Sequence, residues 1–119
     1  MTATLSSCAA DIVSLAPREF DAALHSDPTA TLIDVRQPDE YAAAHIAGAR
    51  LIDWLQPDTF AAAIKTLDPS RTYYVYCRSG RRSLDAARAM HDAGLKVVDL
   101  KGGILAWQDQ QMPVTTDDN

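Results

Sequence analysis

The sequence predicts an α/β fold in which about five mostly parallel strands form one sheet with helices on both of its faces. Short runs rich in β-branched and aromatic residues alternate along the chain with segments whose apolar residues recur at helical spacing. That alternation is typical of parallel sheets, because a crossover between parallel strands usually contains a helix. With 119 residues, of which 47% are hydrophobic, the chain is expected to form one domain with a substantial core.

The first half of the chain alternates three short strands with two helices. Proline residues mark both helix starts, since proline lacks the N–H that the first turn of a helix leaves unpaired. The first strand is expected at an edge of the sheet. Strands are predicted over residues 11–14, 31–35 and 49–52, and helices over residues 17–25 and 39–43.

The second half continues the alternation, with a tyrosine-rich strand at its centre. Asp58 is expected to cap the first helix of this half, and Gly94 to end the second. Strands are predicted over residues 72–76 and 96–100, and helices over residues 58–67, 82–93 and around 105–107.

The chain ends are expected to lie outside the domain, which is assigned to residues 11–114. Residues 1–10 form a leader of small polar residues, and residues 115–119 form an acidic tail that is expected to be disordered. The leader lacks the basic and long apolar segments of a signal peptide, so a cytoplasmic location is expected. Cys8 lies in this leader and is expected to be a bystander.

Charge and cysteine usage argue against several classes of function. The net charge of −5 argues against nucleic acid as a partner, and no apolar run approaches the length that spans a membrane. The two cysteines and three histidines lack metal-ligand spacing, so neither a metal site nor a disulfide framework is expected. We also expect no organic cofactor. A free cysteine fits a reducing compartment.

The strongest chemical signal is the segment of residues 77–83, a cysteine followed by Arg-Ser-Gly-Arg-Arg-Ser. Cys77 follows a predicted buried strand and precedes a predicted helix, at the sheet edge where ligands bind in open α/β folds. Free N–H groups at a helix start and the three arginines favour an anion there, including the thiolate of Cys77. The alternative is an inert buried cysteine, but the basic and polar residues that follow it are unsuited to an apolar core.

Three segments of the chain resemble, in order, those of the single-domain rhodanese family of sulfurtransferases. They are residues 32–41 with 45–49, the Cys77 segment, and residues 101–107 with 112–114. The resemblance implies a rhodanese-like fold and a cysteine that forms a persulfide. Ala44 departs from the family, which usually has glycine there. If this position needs a positive φ, alanine costs about 1 kcal/mol.

The resemblance also implies a two-step transfer. The Cys77 thiolate attacks the outer sulfur of a small anionic donor such as thiosulfate, and the resulting persulfide passes that sulfur to an acceptor thiol or cyanide. Arg78, Arg81 and Arg82 are the candidate handles for the anionic oxygens of the donor. One or two of these arginines are expected to be structural instead.

The remaining residues of the segment have smaller expected roles. Ser79 and Ser83 can donate hydrogen bonds to sulfur, although helix capping is preferred for Ser83. Gly80 lets the chain curl with its N–H groups inward. The resemblance further suggests that Asp34 and Arg36 brace the site, with Arg36 within reach of Glu40.

Two other functions stay open at this point. The domain could be a sulfur carrier or interaction module that is loaded by the persulfide of a partner protein. It could also be a phosphatase or arsenate reductase, because phosphatases of related architecture resemble this site. Those phosphatases separate cysteine and arginine by five residues, whereas Cys77 and Arg82 are separated by four. The smaller ring favours a sulfur atom over a phosphate.

Overall fold

The chain forms a five-stranded sheet in which the neighbouring strands run parallel. The structure, a computed structural model, describes residues 12–117. The strands are β1 (Val13–Leu15), β2 (Ala30–Asp34), β3 (Arg50–Leu51), β4 (Thr72–Tyr76) and β5 (Lys96–Leu100). Their order across the sheet is β1-β5-β4-β2-β3, which puts β4 at the centre and β1 at an edge.

Helices cover both faces of this sheet. They are α1 (Pro17–Ser26), α2 (Pro38–Ala43), α3 (Pro57–Ile64), α4 (Arg81–Asp92) and α5 (Gly103–Asp109). Phe60 of α3 and Met90 of α4 pack in one core cluster, and Phe20 of α1 and Trp107 of α5 pack in another. The predicted α/β fold is confirmed, and the sheet is parallel throughout its named strands.

The side chains of β4 alternate between the two core clusters, as the two-residue period of a strand requires. Tyr73 and Val75 belong to the cluster with α3 and α4, whereas Tyr74 and Tyr76 belong to the cluster with α1 and α5. All four residues are buried. Burial on both faces explains why the strand consists almost entirely of large, mostly aromatic residues.

The predicted ranges of β4 and β5 match the structure, but the predicted range of α3, residues 58–67, does not. This helix begins at Pro57, so Asp58 lies inside the first turn and the predicted Asp58 cap is wrong. Proline suits that position because the N–H that it lacks would be unpaired in any case. The helix ends at Ile64, after which the Leu67 N–H donates to the Ile64 carbonyl oxygen at 3.2 Å in a tighter turn.

Two expectations about irregular segments also need correction. Ala44 has a φ of −173°, which is extended backbone that any residue adopts, so alanine causes no strain there. Thr115, placed in the predicted disordered tail, forms an antiparallel bridge with His45 through hydrogen bonds of 2.7 and 2.8 Å. The predicted leader, including Cys8, lies outside the described residues, and the domain boundaries stay predictions.

The strand order gathers three strand ends around the segment that follows β4. This strand has β5 on one side and β2 on the other, and Asp34 of β2 lies beside Tyr76. Arg36, Cys77 and Lys101 follow these three strands, so they are brought to the same edge of the sheet. That edge is where ligand sites of open α/β sheets lie.

Candidate active site

Cys77 follows β4 directly and is almost fully enclosed, with 1% of its surface exposed. The backbone N–H of Gly80 donates to its sulfur across an N to Sγ distance of 3.1 Å. Gly80 has a φ of +107°, which glycine adopts without strain, and α4 begins at the next residue. The sulfur therefore meets a backbone donor at the start of a helix, where the partial positive charge stabilises an anion.

Two backbone hydrogen bonds fasten the Cys77 loop (residues 77–80) to the start of α5. The Ile104 N–H donates to the carbonyl oxygen of Cys77 at 2.9 Å, and the Leu105 N–H donates to that of Arg78 at 3.1 Å. A Cβ atom on Gly103 would collide with both of these carbonyl oxygens. The contact of Gly103 with the loop exists only in the folded chain, so the sequence alone does not indicate it.

Arg82 is held in a forked ion pair with Glu40 of α2. The two N to O distances are 2.8 and 2.9 Å. Glu40 also accepts a hydrogen bond from the Gln37 N–H at 3.0 Å, as part of a capping box. The hydrogen bond from Arg82 is the main cause that lowers the pKa of Glu40 to about 2. Arg82 is therefore an arginine of the segment with a structural role.

Asp34 and Arg36 form a buried ion pair where β2 ends. The Nε and Nη2 atoms of Arg36 donate to the Asp34 carboxylate at 2.7 to 3.1 Å, and Nη2 also donates to the Ala44 carbonyl oxygen at 2.6 Å. Burial would lower the Arg36 pKa, but the hydrogen bonds and charge of Asp34 outweigh burial and raise it. Glu40, the partner suggested by the resemblance, contributes to that pKa only through its charge.

Ser83 does not have the predicted capping role. The helix begins one residue earlier than predicted, at Arg81, and no side chain caps it. Ser83 thus points inward from the first turn, where its hydroxyl lies 2.6 Å from a carboxylate oxygen of Asp99 and 3.3 Å from the Gly80 carbonyl oxygen. The Ser14 hydroxyl donates to the other Asp99 oxygen at 3.0 Å.

Asp99 is the site residue that sequence reasoning missed. It is 1% exposed, and this burial raises its pKa although its two serine hydrogen bonds act in the opposite direction. The available signal was a carboxylate that follows two valines in a strand predicted next to helices and turns of the same kind as the Cys77 strand. Its hydrogen bonds connect β5, β1 and the first turn of α4, so it ties the helix start to the sheet.

Arg78, Ser79 and Arg81 are exposed, and their side chains form no hydrogen bond or ion pair with other residues of the described chain. They line two depressions on either side of the Cys77 loop. Arg78 lines a depression of about 270 Å³ together with Leu105. Ser79 and Arg81 line a larger depression of about 620 Å³ together with Lys101, the Asp85–Arg88 ion pair and the buried Asp99. The cations that the sequence groups together are thus divided between two sides of the loop.

Residues 12–117 contain neither a cluster of metal ligands nor a membrane-spanning helix. In this range no three histidine, cysteine, aspartate or glutamate side chains come together as a metal site. None of its helices is long and apolar enough to cross a membrane. The described thiol, Cys77, is free and buried.

A sequence model described as "Rhodanese-like domain" matches residues 16–110 of this chain. The chain belongs to the rhodanese-like domain family. The matched region runs from the residue before α1 through α5, so it contains the Cys77 loop, the Asp34–Arg36 and Glu40–Arg82 ion pairs, and Gly103 at the start of α5.

Relatives of this rhodanese-like chain have names that describe sulfur transfer. It is 40% identical over 101 residues to "Probable adenylyltransferase/sulfurtransferase MoeZ" of Mycobacterium tuberculosis, covering 84% of this chain but only 26% of that protein. The chain therefore spans about a quarter of MoeZ. It is 31% identical over 90 residues to "Putative sulfurtransferase YtwF" of Bacillus subtilis, covering 76% of this chain and 84% of that protein.

The fold is also found among solved structures. A crystal structure of a rhodanese-related protein from Thermoplasma volcanium is similar with a TM-score of 0.78 and 28% sequence identity. The alignment covers 88% of this chain and 99% of that one. The family and fold suggested by the three sequence segments are confirmed.

Replacing Gly103 by Ala should be strongly destabilising. The new Cβ would collide with the carbonyl oxygens of the Cys77 loop, and we expect a loss of at least about 3 kcal/mol in the free energy of unfolding. Gly48→Ala is the matched control, because Gly48 also has positive φ but a Cβ there meets nothing within 4 Å. It should lose only about 1 kcal/mol. Urea unfolding of both variants tests this, and equal losses would contradict it.

The ion pair of Glu40 should stabilise the protein in a pH-dependent way. Its folded pKa of about 2 lies below the ordinary value of 4.5, so its contribution is complete above pH 4.5 and is lost as pH falls towards 2. Glu40→Gln should therefore lower the free energy of unfolding by on the order of 2 kcal/mol at pH 7 and by progressively less below pH 4.5.

Urea unfolding of wild type and Glu40→Gln across this pH range measures the difference. Asp39→Asn is the control, because Asp39 is an exposed neighbour that forms no ion pair with other described residues. A difference between wild type and Glu40→Gln that stays constant with pH would show that the Glu40 charge is not the stabilising feature.

Proposed function

We propose that this protein is a sulfurtransferase of the thiosulfate type, with Cys77 as a nucleophile that stores sulfur as a persulfide. The observation that supports this most is the hydrogen bond from the Gly80 N–H to the Cys77 sulfur at the start of α4. It provides a donor for a negatively charged sulfur without any histidine base. The sulfurtransferase names of MoeZ and YtwF point to the same chemistry.

The first step is a displacement at sulfur. The Cys77 thiolate attacks the outer sulfur of thiosulfate, a new S–S bond forms, and the S–S bond of thiosulfate breaks. The electron pair of that bond leaves with sulfite. In the second step an acceptor thiolate or cyanide attacks the outer sulfur of the persulfide, and the electron pair returns to Cys77. Neither step needs a metal or an organic cofactor.

The orientation of the loop peptides suits an anionic sulfur. The carbonyl oxygens of Cys77 and Arg78 accept hydrogen bonds from the start of α5. In a trans peptide the N–H points opposite to the carbonyl, so the N–H groups of Arg78 and Ser79 point away from α5. These donors form no hydrogen bond with a backbone oxygen of the described residues. Under our proposal they stabilise the persulfide or the bound donor.

Two arginines support the donor step in different ways. Arg78 is exposed and beside the smaller depression, where its guanidinium can bind an oxygen pair of a dianion. Arg82 is fixed by Glu40, and its raised pKa, caused first by that hydrogen bond, also has a contribution from the Cys77 charge. Arg82 thus provides a fixed positive charge near the sulfur.

A second candidate is a sulfur carrier loaded by a partner protein. The chain matches only about a quarter of MoeZ, so in that protein the corresponding region is one part of a larger polypeptide. A domain of this kind uses the same cysteine but receives sulfur from another protein instead of from thiosulfate. The reducing cytoplasm is the proposed compartment for either function.

Phosphate ester hydrolysis is disfavoured by two observations. Cys77 and Arg82 are separated by four residues, which makes a smaller loop than in phosphatases. Arg82 is also occupied by Glu40 instead of being available to a phosphate. An aryl phosphate assay should accordingly detect no turnover above background.

The persulfide can be tested by intact-mass spectrometry after brief incubation with thiosulfate. Wild-type protein should gain one sulfur atom, whereas Cys77→Ser should gain none, because serine cannot form a persulfide. Sulfite should be released in equal amount to the sulfur bound. Circular dichroism of Cys77→Ser provides the folding control.

Failure of this experiment has two distinguishable forms. Wild type that stays unmodified by thiosulfate but gains sulfur from a cysteine desulfurase with cysteine would favour the carrier function. Sulfur gain in Cys77→Ser equal to that of wild type would instead show that Cys77 is not the site.

A further inference from the structure

The backbone donor of the Cys77 sulfur lies at the start of α4, which no side chain of the described residues caps. Two consecutive residues of the first turn instead tie this helix to other elements. Arg82 is paired with Glu40 of α2, and the Ser83 hydroxyl lies 2.6 Å from a carboxylate oxygen of Asp99 in β5. The start of α4 is therefore held from two sides by carboxylates.

The hydroxyl of Ser83 has one proton to donate and lies near two acceptors. The Asp99 oxygen, at 2.6 Å, is within the range of about 2.5 to 2.7 Å that is typical of a hydroxyl donating to a carboxylate. The Gly80 carbonyl oxygen is farther away, at 3.3 Å, which is long for a hydroxyl donor. Asp99 is therefore the main partner of Ser83.

Asp99 provides this partner from a rigid position within the sheet. Its strand, β5, lies between β1 and β4, and Asp99 is aligned with Ser14 on one side and with Val75 on the other. Asp99 is 1% exposed and Ser83 is fully buried. Because both groups are enclosed, water is a poor substitute for either partner, and removing one of them leaves the other unsatisfied.

Gly80 depends on contacts of this kind, because glycine adopts many backbone conformations at little cost. With its φ of +107°, Gly80 donates its N–H to the Cys77 sulfur across 3.1 Å. Its carbonyl oxygen accepts from the Leu84 N–H at 3.3 Å and lies at the same distance from the Ser83 hydroxyl. The orientation of Gly80 therefore follows the position of the first turn of α4.

We propose that Asp99 is a positioning residue for the reaction at Cys77. Through the Ser83 hydroxyl, it holds the first turn of α4 where the Gly80 N–H donates to the sulfur. The assignment rests on the proposed sulfurtransferase function and adds to it a residue of β5. Misplacement of a reacting group by about 1 Å can slow a reaction about 100-fold, so loss of this hydrogen bond should slow sulfur transfer in protein that is still folded.

A matched pair of serine variants tests the assignment. Ser14 and Ser83 both bond to Asp99, but of the two only Ser83 also contacts Gly80. Single-turnover formation of the Cys77 persulfide is measured by intact mass over a range of thiosulfate concentrations, with circular dichroism to confirm folding.

Ser83→Ala should lower the rate constant at saturating thiosulfate about tenfold, because the Gly80 N–H no longer stabilises the attacking thiolate. The thiosulfate concentration for half-saturation should change less than about twofold, since the exposed Arg78 is untouched. Ser14→Ala should leave both quantities within about twofold of wild type.

Two variants of Asp99 separate the hydrogen bond from the bulk of the side chain. Asp99→Leu keeps a similar volume but removes the acceptor, so it should slow persulfide formation about as much as Ser83→Ala. Asp99→Asn should stay within about threefold of wild type, because the carboxamide oxygen still accepts from Ser83 and its amide group can donate to Ser14.

Amide hydrogen exchange, measured by NMR on isotope-labelled protein, reports on Gly80 without any reaction. The Gly80 N–H should exchange at least about tenfold faster in Ser83→Ala and Asp99→Leu than in Ser14→Ala, because its bond to the sulfur is lost. This measurement decides the role of Asp99 even where thiosulfate adds no sulfur to wild-type Cys77, which is the result that refutes the proposed function.

Three results would overturn the assignment. Equal slowing by Ser14→Ala and Ser83→Ala would show that Asp99 acts through overall stability alone. A wild-type rate and wild-type Gly80 exchange in Asp99→Leu would show that the first turn of α4 keeps its position without Asp99. Slowing by Asp99→Asn equal to that by Asp99→Leu would show that Asp99 does not act by accepting the Ser83 hydrogen bond.

Discussion

The close approach of the Cys77 loop to the start of α5 is the contact on which the site depends. Gly103 has no Cβ, so the N–H groups of Ile104 and Leu105 can reach the carbonyl oxygens of Cys77 and Arg78. These hydrogen bonds fix the peptide planes after β4 and turn the next two N–H groups away from α5. The conformation of the loop is therefore set by contacts within the protein, and a group that is already ordered costs less to bind.

The cations near the loop differ in how far their side chains are buried. Arg36 is buried and needs a partner, since an unpaired buried charge is strongly unfavourable, and it has Asp34. Arg82 is partly buried and is paired with Glu40. These pairs connect the end of β2, α2 and α4 around the loop. Arg78, Arg81 and Lys101 are exposed, so water can solvate them until an anion binds. An acidic chain thus has exposed cations beside the loop that are unpaired within the described residues.

The sequence was sufficient for the fold and for placing Cys77 between a strand and a helix, where the structure has it. The alternating periodicities locate the five strands, and a cysteine with three arginines between a strand and a helix indicates the anion site. Contacts between residues that are far apart in the sequence could not be predicted in this way. The pairing of Arg82 with Glu40 joins residues 42 positions apart. Ser83 was misjudged because its hydroxyl bonds to Asp99, 16 positions away in β5, a contact that exists only in the folded chain.

The contact of the Cys77 sulfur and the exposed cations are physically separate in this arrangement. The sulfur accepts a hydrogen bond from the Gly80 N–H, whose position depends on the left-handed conformation of Gly80. Arg78 and Arg81 are exposed side chains that form no hydrogen bond or ion pair with other described residues. Substitutions at sites without shared partners usually have nearly additive effects. Substitution of these arginines can therefore change the charge beside the loop while the backbone contact of the sulfur is retained.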